Sequence, residues 1–265
     1  MKKKRKSDYY SSLRHEQSLA RKEKSQKDDA PELKEIRRFR FLRTALLPNL
    51  PDLLLNNLCF GLTCLPALLF LELALQTGGL TFLAGTWLSM ALLFPGLSAL
   101  YHRSYDYTRR IASSVRTSFF SFFATNFGPC ALTGLFLGFF WTLCCLYLLM
   151  AQVWMADSPS FYGIILLLLL LCSHYTVMVM AQLSLFDLPP GAVYRNALLL
   201  IPSCGWRGLL SALLLLAFVL LLFQNPVLWL FLFFLGLPGL LTSLTAWLLW
   251  PRLSRILLRD QDAAP

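Results

Sequence analysis

The chain has 265 residues, 57% of them hydrophobic and 14% charged, with a formal net charge of +10. Ordinary soluble domains carry about 45–50% apolar and about 25% charged residues, and at this length a soluble globule would leave too much apolar surface exposed. The composition therefore argues against a soluble enzyme, a disordered chain and a secreted disulfide scaffold, and points to an all-α polytopic membrane protein.

The positive charge is concentrated at the start. Residues 1–43 hold 15 Lys/Arg and 7 Asp/Glu, and the rest of the chain holds 9 and 7. Lys2-Lys3-Lys4-Arg5-Lys6 opens a polar tail with few apolar anchors. Such a stretch cannot bury enough surface to offset its ordering entropy, so residues 1–30 read as disordered. A basic tail on an apolar body suits anionic lipid headgroups. Nothing in the body has the outline of a nucleic-acid-binding module, so no nucleic-acid partner is expected. Asp29-Ala30-Pro31-Glu32 has the signature of a helix start, and residues 32–46 fit a short interfacial helix carrying Arg37, Arg38, Arg40 and Arg43.

Six apolar segments follow, near the ~20 residues that cross a bilayer. They run Leu53–Leu75, Leu80–Leu100, Pro129–Val153, Phe161–Gln182, Pro202–Phe223 and Pro226–Trp250. The fifth reaches spanning length only when it starts at Pro202, which leaves Arg207 to snorkel to the interface. Gln224-Asn225-Pro226 makes a tight turn between the last two. The predicted domains are a basic cytoplasmic tail (1–43), a six-helix membrane domain (44–254) and a short cytoplasmic tail (255–265).

The loops set the orientation. With the N-terminus inside, segments 1–52, 101–128, 183–208 and 251–265 hold all 24 Lys/Arg. The outer loops Gln76–Gly79, Trp154–Ser160 and Gln224–Asn225 hold none, as the positive-inside rule requires. Both termini are thus expected in the cytoplasm. Trp154, Tyr162 and Trp229 mark the outer boundary, and Tyr101, Trp206 and Trp250 the inner one.

Two inner loops read as cytoplasmic interfacial elbow helices. Tyr101 to Asn126 carries Arg103, Arg109, Arg110 and Arg116, then Phe119, Phe120, Phe122 and Phe123. Ser184 to Gly205 carries Phe186-Asp187-Leu188-Pro189-Pro190-Gly191 and a helical stretch from Ala192 to Ile201. The two elbows form a weak same-orientation repeat, unlike the inverted repeats of secondary transporters.

Three stretches carry a family likeness: Asn56 to Leu69, Leu93 to Gly128, and Ala181 to Pro202. Their motifs are Leu65-Pro66, Pro95-Gly96, Ala99-Leu100-Tyr101, the aromatic run Phe119 to Phe127, and Phe186-Asp187-Leu188 through Arg195-Asn196-Ala197-Leu198. Together they resemble the YesL-like family of bacterial integral membrane proteins, a family of unknown function, over roughly residues 40–250. The chain departs from the family pattern after Leu65-Pro66, where it continues Ala67-Leu68-Leu69-Phe70. The resemblance implies a bacterial cytoplasmic membrane and an association with carbohydrate uptake. It brings no catalytic residue.

The chemical leads are the polar residues within spans. Glu72 falls about 28 Å from the inner boundary, at the outer interface, where a solvated carboxylate is the plain reading. His174 and Asn57 fall at depths that allow a contact between them, either a structural hydrogen bond or part of a relay. Gly134-x-x-x-Gly138 reads as a helix-packing stripe within the bundle. The seven cysteines show no metal or redox spacing and read as packing groups. No catalytic motif, cofactor motif or metal-ligand set is present, so the chain reads as non-enzymatic.

The expected function is that of an accessory or interaction protein. Asp187, Arg195 and Asn196 of the second elbow are the expected contacts to a membrane-transport partner. The alternative is a small-solute transporter or channel lined by Asn56, Asn57, His174 and Thr176. A continuous polar cavity across the midplane would distinguish the second reading from the first.

Overall fold

The computed structural model describes residues 49–109, 116–154, 159–186, 188–224 and 236–262. Every regular element among them is helical: α1 (Leu50–Thr77), α2 (Leu80–Arg109), a π-helical turn (Arg116–Phe120), α3 (Ser121–Trp154), α4 (Pro159–Leu185), α5 (Pro190–Gln224) and α6 (Leu237–Asp262). The N-terminal tail and the helix expected at 32–46 lie outside the described residues.

Five of these helices, α1 to α5, are long and apolar enough to cross a membrane. The chain is thus a multi-pass membrane protein in its architecture. The outside of the bundle fits that environment, with Leu62 and Leu80 each 67% exposed and Leu69 and Leu132 nearly as open. In water such a surface would be costly; against lipid tails it costs nothing. Hydroxyls inside the helices return to their own backbone, as Thr86 does to Phe82 and Ser173 to Leu169. That pattern keeps polar side chains satisfied where no water is available.

Local chemistry sets the helix ends. α1 begins with Pro51 and Asp52 in its first turn, where the missing amide is harmless and the carboxylate faces the helix dipole. It ends at Gly78, whose left-handed φ of 66° lets its N–H return to the Ala74 carbonyl at 2.8 Å. α2 restarts two residues later, so the two helices form a tight hairpin. Gly96 stands against Thr63 at their crossing. Gly134 of α3 sits directly on the Met90 carbonyl of α2, and Gly138 on the Met90 side chain. The small-residue stripe therefore packs within the bundle. The Trp87 indole fastens the same pair by donating to the Leu135 carbonyl at 2.8 Å.

Three boundaries differ from expectation. α6 starts at Leu237 and runs through Pro251 into the expected tail as far as Asp262; the start of the sixth apolar segment, expected at Pro226, lies outside the described residues. The fifth starts at Pro190 rather than Pro202 and is broken at Gly205 (φ 52°, ψ −137°). This gives an arm, residues 190–204, ahead of the membrane-length portion. The first elbow is not a separate helix among the described residues: Tyr101 to Arg109 continues α2, and Ser121 to Asn126 opens α3. α2 outruns its apolar stretch because its polar end finds partners, Arg103 with Asp52, Ser104 with Thr242 and Asp106 with Ser118.

Candidate functional site

Where α1, α2 and α6 meet, a set of polar side chains is buried. Asn56 and Asn57, one turn in from the start of α1, are 0% and 1% exposed, and Arg103 of α2 is 2% exposed. The Arg103 guanidinium donates to Asp52 at 3.0 Å. It also lies over the Tyr107 ring, 4.5 Å from its centre, where the ring's negative face attracts a cation. The Asn56 carboxamide donates to the Tyr107 hydroxyl at 3.1 Å. Tyr107 thus faces Arg103 with its ring and Asn56 with its hydroxyl.

Asn57 serves a different partner. Its Oδ1 accepts the Gly239 N–H at 2.7 Å, satisfying one of the amides that a helix start leaves without an internal acceptor. Gly236 and Gly239 make this approach possible. A Cβ on either would come within 3.0 Å of the Asn57 carboxamide. The Asn57 Nδ2 has no partner. One turn further along α6, Thr242 accepts from Ser104 at 2.9 Å, and Ser243 also reaches Ser104.

A third group joins α2 to α3 and α4. Asp106 accepts from Ser118 at 2.6 Å and lies 4.0 Å from His102 Nε2. His102 Nδ1 meets the Ser184 carbonyl at 2.8 Å. A carbonyl oxygen is only an acceptor, so Nδ1 carries the proton there. The His102 ring stacks on Phe122 at 4.3 Å.

The bundle also holds a partly open cavity of about 200 Å³. One face of α1 lines it (Phe60, Cys64, Leu68, Glu72), and so does one face of α2 (Thr86, Met90, Phe94, Tyr101). The other helices add Trp141, Thr176, Phe218 and Thr245. The Trp141 indole is held by Thr176, which accepts its N–H at 3.0 Å. The walls are overwhelmingly apolar, and Glu72 is the only charged residue among the described lining.

The residues singled out in the sequence scatter over this frame. Asn57 and His174 are not brought together: Asn57 faces α6, whereas His174 Nε2 lies against Gly208 of α5. Of the four residues expected to line a solute path, only Thr176 reaches the cavity wall. Arg195 is exposed on the arm and Asn196 half-buried, while Asp187 lies outside the described residues. The arm itself is anchored by Tyr194. Its carbonyl accepts from Tyr175 at 3.2 Å, and its hydroxyl donates to Thr133 at 3.2 Å.

Arg103, Asp106, Tyr107, His102 and Ser104 fall in the stretch expected to form the first elbow. The available signal was the spacing of Arg103, Asp106 and Tyr107, which stand three and four residues apart on one helix face. All seven cysteines are free thiols. Among the described residues no group of His, Cys, Asp and Glu is placed to hold a metal ion. Compared with known proteins, the chain matches no family model, no curated protein and no solved structure.

Proposed function

We propose that this chain is a non-enzymatic, six-span protein of a bacterial cytoplasmic membrane, acting as an accessory partner of a carbohydrate-uptake system. One observation carries the choice between an accessory protein and a polar solute pathway. The buried polar side chains join helix to helix, Asn57 to Gly239, Arg103 to Asp52 and Ser104 to Thr242, while the cavity beside them has apolar walls. A hydrated solute entering that cavity would lose water without gaining hydrogen bonds, at a cost of several kcal/mol. The link to sugar uptake rests on the YesL-like resemblance.

The sixth crossing in this reading starts at Pro226 and is completed by the first turns of α6. Its support is the charge pattern, because six crossings put all 24 Lys/Arg on one side. The arm at 190–204 is the second cytoplasmic elbow and the proposed docking element. Its exposed face offers Arg195, Leu198 and Leu199.

Affinity capture of the solubilised full-length protein tests this. Wild type should retain components of a membrane-transport system. The double variant Asp187→Ala/Arg195→Ala should retain about tenfold less, as charged interface contacts commonly contribute 1–3 kcal/mol. Unchanged capture combined with altered solute flux would reject the accessory reading in favour of a transporter.

A further inference from the structure

The cavity has a shape and a charge that the accessory role does not use. Its lining residues on α1 run from Phe60 to Leu75 and on α2 from Thr86 to Tyr101. Fifteen residues at 1.5 Å rise make each wall about 22 Å long. The space is a narrow slot along the bundle, larger in volume than the ~150 Å³ void that holds a benzene ring in an engineered protein. A slot of that form suits an extended alkyl chain better than a compact solute.

Its polar end is specific. Glu72 stands near the outer end of the slot, half-buried, accepting a hydrogen bond from Gln76 at 2.8 Å. No Lys, Arg or His occurs among the described lining residues. No Lys or Arg occurs anywhere between Arg43 and Arg103, between Arg116 and Arg195, or between Arg207 and Arg252. The chain therefore provides no basic side chain close to Glu72 along α1, and Gln76 supplies only a neutral donor. Phe60, Phe94, Trp141 and Phe218 add large apolar walls for a chain. A carboxylate at the end of an apolar slot complements a ligand with the opposite arrangement: one cationic end and one apolar chain.

We propose that this slot binds an alkylammonium amphiphile, its ammonium against Glu72 and its chain between α1 and α2. Two sources have that chemistry: a membrane lipid with an ammonium headgroup, such as phosphatidylethanolamine, and a free long-chain amine. This site does not depend on the accessory role, and its test reads neither partner capture nor flux.

The experiment uses the purified full-length protein in a neutral detergent. Dodecylammonium and dodecanol share a chain and differ in the head. Wild type should bind dodecylammonium about tenfold or more tightly than dodecanol, the size expected of one charge-assisted contact. Glu72→Gln should bring the two affinities together while leaving dodecanol binding unchanged, which also shows that the variant is folded. A photoactivatable dodecylammonium should mark peptides covering residues 60–75 and 86–101. Native mass spectrometry from mixed-lipid nanodiscs separates the sources: retained phosphatidylethanolamine, lost in Glu72→Gln, identifies the lipid, whereas binding of the added amine alone identifies a free amphiphile. Equal affinity for the two ligands in wild type, an unchanged preference in Glu72→Gln, adducts elsewhere, or binding of sodium ion alone would each overturn the proposal.

Discussion

Asn57 on α1 caps the start of α6: its Oδ1 accepts the Gly239 N–H at 2.7 Å across 182 positions of sequence. The cap comes from another helix, so the start of α6 is fixed to the body of the bundle. Replacing Asn57 with Leu removes the acceptor of that amide. A lost cap costs about 1–2 kcal/mol. Asn56→Leu removes only a bond donated to the Tyr107 hydroxyl, and no backbone amide loses its acceptor. Thermal unfolding in detergent should rank Asn57→Leu below Asn56→Leu. Equal melting temperatures would contradict the capping role.

The Arg103–Asp52 pair is lopsided, with side-chain exposures of 2% and 42%. Removing Asp52 takes the carboxylate away from a buried cation that keeps its contact with the Tyr107 ring, whereas removing Arg103 leaves a carboxylate that water still reaches. Breaking a fully buried pair costs about 3–5 kcal/mol, and the exposure of Asp52 reduces that figure here. Asp52→Ala should therefore destabilise more than Arg103→Met. The double variant should be more stable than Asp52→Ala alone. A double variant no better than Asp52→Ala would show that the buried charge does not depend on Asp52.

Gly134 and Gly138 face the same residue in different ways. A Cβ at 134 meets the Met90 backbone carbonyl, which cannot move without shifting α2, and a Cβ at 138 meets Met90 Cβ and Cγ at 2.6 Å, where only Cγ can rotate away. Gly134→Ala and Gly138→Ala should each cost about 1–3 kcal/mol as overpacking, Gly134→Ala the more. The reverse order in thermal melts would place the tight contact elsewhere.

Gly205 isolates backbone strain from packing. Its φ of 52° with ψ of −137° is open to glycine and hostile to L side chains. Yet a Cβ there meets nothing within 4 Å. Gly205→Ala should lower stability by about 1–3 kcal/mol from conformation alone. An unchanged melting temperature would mean that the arm and the span join without this bend.

The helical architecture was legible because apolar runs near bilayer length leave few alternatives to helices in lipid. Helix ends were less legible. Hydropathy falls at Tyr101 and at Pro251, but backbone hydrogen bonding continues to Arg109 and Asp262. The start of α6 was hidden in an unbroken apolar run, and only the punctuation Gly236-Leu237-Pro238-Gly239 hinted at it. Asn57 was recognisable as a polar residue at membrane depth. Its partner was not, because a backbone amide 182 positions away leaves no trace in local pattern. The burial of Arg103 escaped for the same reason: a charge near an apolar boundary reads as snorkelling until Asp52 and Tyr107 are seen around it.

The account rests most heavily on an even number of crossings with every Lys and Arg on one side. Single cysteines introduced as Ser114→Cys, Ser158→Cys, Asn225→Cys and Ala264→Cys can be tested in intact cells with a membrane-impermeant maleimide. Six crossings predict that Ser158→Cys and Asn225→Cys label from outside, and that Ser114→Cys and Ala264→Cys label only after the membrane is opened. Labelling of Ser114→Cys or Ala264→Cys in intact cells would contradict the six-span bundle.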